Sequence, residues 1–210
     1  MSGPIGSSQW MYSSGAEDLG QSIRLNDDDS QYLSWTPASA GNLKTWTWSG
    51  WVKRGNLGVT VSLMDALQTS GTDWTRFHFN NSDQLAFVVE ISNSNVFQFV
   101  TTQVFRDPSA WYHIVAAYDS TQATSTNRFK LYVNGEQITA FDTETYGAQN
   151  TDSHFTSTIE HNIGAVNTGI WFFDGYMSDI NFIDGQALDA TSFGETVDGY
   201  WKAKDYAGTY

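Results

Sequence analysis

A polar stretch in the second half of the chain carries side chains of the types that bind sugars. Asn150, Asp152, His154 and Asn167 supply amide, carboxylate and imidazole groups that can hydrogen-bond hydroxyls. Trp171 ends the stretch with an aromatic face on which a sugar ring can stack. The same residues also fit a polar surface loop that leads to a Trp in the hydrophobic core. The sequence therefore predicts either a glycan-binding loop or a structural one.

Familiar catalytic motifs are absent from the sequence. Neither His-Glu-x-x-His nor Gly-x-Ser-x-Gly occurs, so the spacings of a zinc protease and of a serine hydrolase are both missing. The 4 His residues are scattered along the chain. His113 lies in an apolar stretch, where packing or hydrogen bonding beside Trp111 explains it. We therefore expect a protein that is not an enzyme.

Charge and composition exclude several classes of protein. The 10 Lys and Arg against 23 Asp and Glu give a net charge of −13, which repels phosphate backbones and argues against direct nucleic-acid binding. Cys is absent, which excludes disulfides and thiolate metal sites and fits assembly in a reducing cytoplasm. The first basic residue is Arg24, and no apolar run could form a secretory signal or cross a bilayer.

The elements that must position the candidate residues are strands. Alternation in the segment from 46 to 53 places Trp46, Trp48, Gly50 and Val52 on one face and Thr47, Ser49, Trp51 and Lys53 on the other. Many short alternating segments follow, separated by turn residues, and no long stretch has a period of 3.6. This pattern is typical of an all-β sandwich of two antiparallel sheets. We predict that Trp48, Val115, Leu131 and Ile180 lie in the core between the sheets.

Smaller signals refine this prediction. Asn134-Gly135 follows an alternating strand and favours a type I′ hairpin turn, in which both residues need a positive φ. Asp189 is a candidate N-cap for a short helical turn. Residues 142–158 are polar and irregular, and we predict a long surface loop there.

The chain divides into one large domain with two short ends. Residues 1–21 are polar and Gly-rich, with Trp10, Met11 and Tyr12 as their bulky cluster, and they predict either a docking arm or a poorly ordered terminus. Residues 22–198 form the predicted sandwich, and residues 199–210 form a C-terminal tail. Because exposed aromatic residues at such density would form an apolar patch, we expect the segment from Tyr200 to Tyr210 to be covered by the domain or by another copy.

Between residues 22 and 193 the chain resembles the laminin G-like, concanavalin A-like family. The resemblance is carried by Trp111-Tyr112-His113-Ile114-Val115, Tyr118-Asp119, Leu131-Tyr132-Val133-Asn134-Gly135, Ile163-Gly164 and Phe173-Asp174-Gly175-Tyr176-Met177-Ser178-Asp179-Ile180, in that order. The resemblance implies a jelly-roll sandwich of two antiparallel sheets and a lectin-like, carbohydrate-binding role.

A narrower resemblance concerns fibre-type virion proteins of tailed bacteriophages, especially marine ones. It is carried by Gln31-Tyr32-Leu33-Ser34-Trp35-Thr36-Pro37, by the segment from Lys44 to Arg54, and by Gly199-Tyr200-Trp201-Lys202-Ala203-Lys204-Asp205-Tyr206. It implies a structural or adhesive part of a virion, either a tail fibre or a head decoration. Such a protein would be assembled in the host cytoplasm.

The family resemblance also raises calcium binding and hydrolysis. Relatives often hold Ca²⁺ through loop carboxylates, and Asp27, Asp29 and Asp119 are the candidates here; the alternative is a solvated turn. Glycan hydrolases on this fold carry their carboxylates close together on one strand as Glu-x-Asp-x-x-Glu, and no such run occurs. Glu90 is solitary in its strand.

We therefore predict a non-enzymatic virion protein with a lectin-like domain. Its expected partners are other virion proteins, host cell-surface glycans and further copies of itself, with no nucleic acid, no membrane insertion and no required cofactor. The rival hypothesis is a polysaccharide-degrading enzyme on the same fold, against which the missing carboxylate run argues. A cellular laminin G-like adhesion module is a third hypothesis, against which the absence of Cys argues.

Overall fold

The computed structural model describes residues 21–68, 71–167 and 169–210. The proposed docking residues Trp10, Met11 and Tyr12 lie outside these ranges. Within them the strands are β1 Ile23–Leu25, β2 Leu33–Trp35, β3 Thr45–Arg54, β4 Val61–Leu67, β5 Trp74–Phe79, β6 Gln84–Ile91, β7 Ser94–Val104, β8 Tyr112–Asp119, β9 Phe129–Val133, β10 Glu136–Ile138, β11 Phe141–Thr145, β12 His161–Ile163, β13 Gly175–Asp184, β14 Gly194–Val197 and β15 Tyr200–Ala203.

The strands form two large antiparallel sheets and one hairpin. The six-stranded sheet has the order β1-β13-β3-β8-β9-β10, and the seven-stranded sheet has the order β11-β7-β6-β5-β4-β12-β2. The hairpin pairs β14 with β15. The all-β jelly-roll prediction is confirmed. None of the helices in the described ranges has both the length and the apolar character that crossing a membrane would require.

The main core lies between the two large sheets and is rich in aromatic residues. Trp46, Trp48 and Val52 point into it from β3, as their alternation predicts, and all three are fully buried. Leu131 is buried there as well, and Ile180 is half-buried against the same cluster. The period-2 pattern of β3 therefore identifies the inner face of the six-stranded sheet.

Val115 is buried on the other side of this sheet, which corrects the predicted core. Because side chains alternate along β8, Ile114 and Ala116 take the positions that face the seven-stranded sheet. Val115 instead packs against Ile183 and Phe193 in a second, smaller apolar cluster. The outer face of the six-stranded sheet is thus covered around Val115, in addition to the inner face.

The chain after β13 covers this second face. Trp201 of β15 places its ring 5.9 Å from the ring of His113 and donates its indole N–H to Nδ1 at 2.9 Å. Nε2 of the neutral ring therefore carries the proton and donates it to the Ser49 hydroxyl at 3.0 Å. His113 also stacks on Trp51, with ring centroids 4.9 Å apart, so its aromatic neighbours are these two residues rather than Trp111.

Part of the tail is covered by the domain itself, as expected. Tyr206 stacks on Phe193 with ring centroids 5.1 Å apart. Tyr200 and Tyr210 remain 72 % exposed, so the expected coverage holds for the middle of the segment and not for its ends. The boundary predicted at residue 198 falls in the turn between β14 and β15.

Two local predictions agree with the structure. Asn134 and Gly135 have φ values of 49° and 86°, as a type I′ turn requires, and a Cβ on Gly135 would lie 2.5 Å from the Trp201 ring. Asp189 caps the short 3₁₀ turn Ala190–Ser192 by accepting a hydrogen bond from the Thr191 backbone N–H.

The predicted surface loop at 142–158 is wrong in part. Phe141–Thr145 is a strand that pairs with β7 at the edge of the seven-stranded sheet. Further along, Ser153 and His154 are buried, because the Ser153 hydroxyl accepts from the Trp46 indole and the His154 backbone N–H donates to Thr75. Polar composition concealed both features, since an edge strand needs few apolar residues and the buried groups are satisfied by long-range hydrogen bonds.

Trp48→Ala should lower the free energy of unfolding by about 3–5 kcal/mol, since it removes a fully buried ring and leaves a cavity. Chemical denaturation measures this change. Tyr200→Ala is the control: that side chain is 72 % exposed, so the change should stay within about 0.5 kcal/mol. Similar effects of the two substitutions would contradict the assignment of the core.

A second prediction concerns the stability of the protein at acidic pH. Burial lowers the pKa of His113 from 6.5 to about 4. The neutral, buried His113 therefore contributes its full stabilisation of the folded state above pH 6.5. This contribution is lost as the pH falls towards 4, because the unfolded chain binds a proton at His113 before the folded protein does. Between about pH 7 and pH 4, the free energy of unfolding should fall by about 3 kcal/mol more in the native protein than in His113→Gln. If the free energy of unfolding depended on pH equally in the two proteins, His113 could not be a buried neutral side chain in the folded state.

Candidate functional site

The outer face of the seven-stranded sheet carries an unusual row of side chains on β5. Phe77 and Phe79 point into the core, so alternation directs Trp74, Arg76 and His78 outwards. Arg76 is 9 % exposed, whereas Trp74 and His78 are half-buried. A cation between larger rings on a sheet face is positioned to meet a ligand that approaches the face.

Trp171 reaches this row from a separate segment. Val166 and Ile170 form an isolated antiparallel bridge that folds the chain back on itself. Trp171 then adopts a φ of 57°, which is uncommon for a bulky residue, and its carbonyl accepts a hydrogen bond from the Ser62 backbone N–H at 2.8 Å. These contacts hold the indole over β5, where its centroid is 5.5 Å from that of His78.

Arg76 is the centre of the arrangement. Its guanidinium carbon lies 4.3 Å from the centroid of the Trp74 ring and 4.8 Å from that of Trp171. Its Nε donates to the fully buried carboxylate of Asp65 at 2.6 Å. Among the described residues, neither terminal guanidinium nitrogen has a hydrogen-bond partner. We name Trp74, Arg76 and Trp171 the aromatic–arginine cluster.

Neighbouring polar groups hold the cluster in place. The second carboxylate oxygen of Asp65 accepts from the backbone N–H of Asn167 at 3.0 Å, which ties the Trp171 segment to the sheet. The Trp74 indole N–H donates to Glu90 at 2.8 Å. The cluster is therefore held by directional bonds on both sides and is preorganised.

Electrostatics leave Arg76 as a positive centre beside neutral rings. Burial raises the pKa of Asp65, and Arg76 and the Asn167 hydrogen bond oppose that rise. Burial, and after it the charge of Arg76, lowers the pKa of His78 to about 3, so this ring is neutral above acidic pH. The structure thus supplies a buried cation, two indoles and an exposed Asn167 amide on one surface.

An unsatisfied polar side chain lies next to this surface. Asn162 of β12 is opposite Asp65 of β4, so the two side chains share the outer face. Asn162 is fully buried, and within the described ranges neither its amide nitrogen nor its amide oxygen has a hydrogen-bond partner. A buried amide with both groups unpaired is costly, and a water molecule or a ligand hydroxyl would relieve that cost.

Of the five predicted glycan-binding residues, the structure places only two on this surface, and His154 is buried. Asn167 and Trp171 both lie on the outer sheet face, where the Asn167 backbone N–H donates to Asp65 and the Trp171 ring lies against Arg76. Asn150 and Asp152 lie instead at the strand ends, where the Asn150 backbone N–H donates to Ser120 and Asp152 pairs with Lys44 at 2.5 Å. Trp171 lies outside the core between the sheets, so the alternative prediction of a Trp in the hydrophobic core does not describe its position.

The three proposed calcium ligands do not form one site. Asp27 accepts from Asn56, just beyond the end of β3, whereas Asp119 pairs with Thr45 at its beginning, roughly 30 Å away along the strand. Asp29 accepts an amide hydrogen bond from Asn26. In the described ranges, no group of three His, Cys, Asp or Glu side chains could hold a metal ion. These residues therefore do not fit a calcium centre.

Sequence reasoning missed Trp74 and Arg76. The available signal was their alternation with Phe77 and Phe79, which already assigned them to the opposite face of the strand. Their proximity to Trp171 had no sequence signal, since it depends on pairing between segments that are about a hundred residues apart.

Comparisons with known proteins agree with this architecture. A laminin G family model, described as the concanavalin A-like lectin/glucanases superfamily, matches residues 27–192. None of the proteins with curated descriptions matches the chain.

Similar solved structures include a pentraxin, a laminin region and a sialidase module. A heptameric SAP-like pentraxin from Limulus polyphemus has a TM-score of 0.55 at 16 % identity, covering 80 % of this chain and 76 % of its own. Domains LG4-5 of the mouse laminin alpha1 chain give 0.58 at 11 %, covering 85 % and 45 %. The CBM40 module of the Ruminococcus gnavus IT-sialidase gives 0.52 at 14 %, covering 76 % and 95 %.

At these identities the solved structures establish the fold, and the family match extends over most of the domain. The strand order, the two antiparallel sheets and the match to residues 27–192 agree. The chain belongs to the concanavalin A-like lectin/glucanases superfamily, in its laminin G-type family.

Proposed function

We propose that this protein is a non-catalytic glycan-binding module and that the aromatic–arginine cluster is its binding site. The observation that carries the proposal is the Arg76 guanidinium, held 4.3 Å from the Trp74 ring and 4.8 Å from the Trp171 ring on an outer sheet face. Aromatic faces provide apolar contact with a sugar ring, and convergent polar groups fix its orientation.

The neighbouring groups suit a ligand rich in hydroxyls. Arg76 retains unpaired donors, and the exposed Asn167 amide offers both a donor and an acceptor. A relative with this fold gives a precedent, because the Ruminococcus gnavus CBM40 module has been solved with alpha2,3 sialyllactose bound.

The acidic residues around the cluster support binding rather than hydrolysis. Asp65 is fully buried and committed to Arg76 and Asn167, and Glu90 accepts from the Trp74 indole. A glycosidase needs two carboxyl groups that flank the scissile bond, one of them able to donate a proton. Carboxylates that already serve as acceptors within the protein are poorly suited to that role. The proposed binding uses no cofactor.

We further propose that the module is part of a tailed-phage virion, in a tail fibre or a head decoration. Three segments that resemble such proteins support this, and they include β2, β3 and β15. In this proposal the protein is assembled in the host cytoplasm, forms homo-oligomers, docks on other virion proteins through residues 1–21 and presents the sheet face to host-surface glycans. Imaging intact particles with a label on this chain tests the location, and a chain absent from purified particles would refute it.

The binding site is tested by a glycan array followed by calorimetry with the strongest ligand. Trp171→Ala should weaken binding roughly 30-fold, since about 2 kcal/mol of ring contact is lost. Trp111→Ala is the matched control, because Trp111 is also half-buried but lies beside Tyr176 in the six-stranded sheet. Unchanged affinity in Trp171→Ala, in a protein that circular dichroism shows to be folded, would refute this site.

The enzymatic rival requires its own assay. Incubation with a panel of marine and bacterial polysaccharides should release no reducing ends. Release that disappears after Glu90→Gln or another single acidic substitution would overturn the non-catalytic proposal.

A further inference from the structure

A cavity lies on the side of the molecule opposite the aromatic–arginine cluster, on the outer face of the six-stranded sheet. We call it the outer groove. Ala117 of β8 forms its floor, Lys130 and Tyr132 of β9 form one wall, and the segment from Ala187 to Asp189 forms the other. Its volume is about 340 Å³, within the range of small-ligand sites.

The walls of the outer groove are fixed by the fold. The Thr47 hydroxyl donates to the Gln186 carbonyl at 2.7 Å and accepts from the Leu188 backbone N–H at 2.8 Å, which holds the second wall against β3. Tyr132 packs against the apolar cluster around Val115 and Phe193. The groove therefore exists before any ligand arrives, so binding would not require the walls to order.

Several polar groups in the groove have no hydrogen-bond partner within the described part of the chain. These are the Lys130 ammonium, the Tyr132 hydroxyl and the Asn127 side-chain amide. One carboxylate oxygen of Asp189 accepts from the Thr191 backbone and hydroxyl, while its other oxygen is available. Donors and acceptors are thus both present, unlike in a simple acidic cluster.

We propose that the outer groove is a second carbohydrate site that takes a neutral sugar unit. Hydroxyls donate and accept, so one ring can satisfy both the Lys130 ammonium and the Asp189 carboxylate while it lies against the half-buried Tyr132 ring. Asp119 and Asp189 outnumber Lys130 in the lining, and the chain has a net charge of −13, so an anionic sugar is repelled.

The outer groove and the aromatic–arginine cluster lie on the outer faces of different sheets, so occupation of one leaves the other open. Two sites on one module raise the avidity for a polysaccharide surface without a new contact at either site. The inference about the groove does not depend on glycan binding at the cluster.

The test is amide-resonance mapping by NMR on the whole chain, with methyl α-D-mannoside, methyl β-D-galactoside and methyl β-D-glucoside as neutral probes and sodium glucuronate as the anionic one. At least one neutral probe should shift the amides of Ala117, Lys130 and Leu188 with a millimolar dissociation constant. Lys130→Met should weaken that binding roughly tenfold, and Tyr132→Phe should also weaken it.

Two controls separate this result from other effects. Lys53→Met removes a Lys from the same outer face at the other end of β3 and should leave binding unchanged, as should Trp171→Ala, which disables the cluster. The proposal is overturned if none of the neutral probes shifts the groove amides, if glucuronate binds more tightly than they do, or if Lys130→Met binds them as the native protein does.

Discussion

The structure depends on one constraint: the central strand β3 carries large Trp side chains on both faces, and both faces must be covered. Its inner face presents Trp46 and Trp48, which the seven-stranded sheet buries. Its outer face presents Trp51, which a single sandwich would leave in water. The segment after β13 covers the outer face, where Trp201 donates a hydrogen bond to His113 and His113 stacks on Trp51. Burying large aromatic surfaces is the dominant favourable contribution here, and the rest of the chain is arranged to permit it.

Both candidate binding surfaces arise where a covering segment crosses a sheet. On the seven-stranded sheet, the bridge between Val166 and Ile170 carries Trp171 over Arg76. On the six-stranded sheet, the segment from Ala187 to Asp189 forms a wall of the outer groove. Each covering segment leaves part of the sheet face open beside it, and polar side chains that point outwards from the strands line that open part. Both candidate surfaces are thus a consequence of how the sheets are covered.

Alternation in the sequence predicted an all-β sandwich and the inner face of β3, because a period of two assigns each side chain to a face. The jelly-roll fold was predicted from the family resemblance. Alternation did not predict that Val115 is buried outside the main core, because the C-terminal segment buries it. Composition indicated Asn167 and Trp171 as candidates, whereas the cluster of Trp74, Arg76 and Trp171 depends on how distant segments pack together. Asn150 and Asp152 were misplaced for the same reason: composition shows which residue types can bind sugars and not which residues come together in the fold. The proposed calcium ligands show the same limit of composition. Asp27 lies near one end of β3 and Asp119 lies at the other, so they cannot bind one ion.

The most direct measurement of the central claim is a crystal structure of the protein with its strongest glycan ligand bound. We expect a sugar ring against the exposed indole surface of Trp74 or Trp171, with hydroxyl or carboxylate oxygens bonded to the terminal nitrogens of Arg76. Occupation of the outer groove as well would be compatible with this. A glycan bound elsewhere, with the aromatic–arginine cluster vacant, would contradict the assignment of the site.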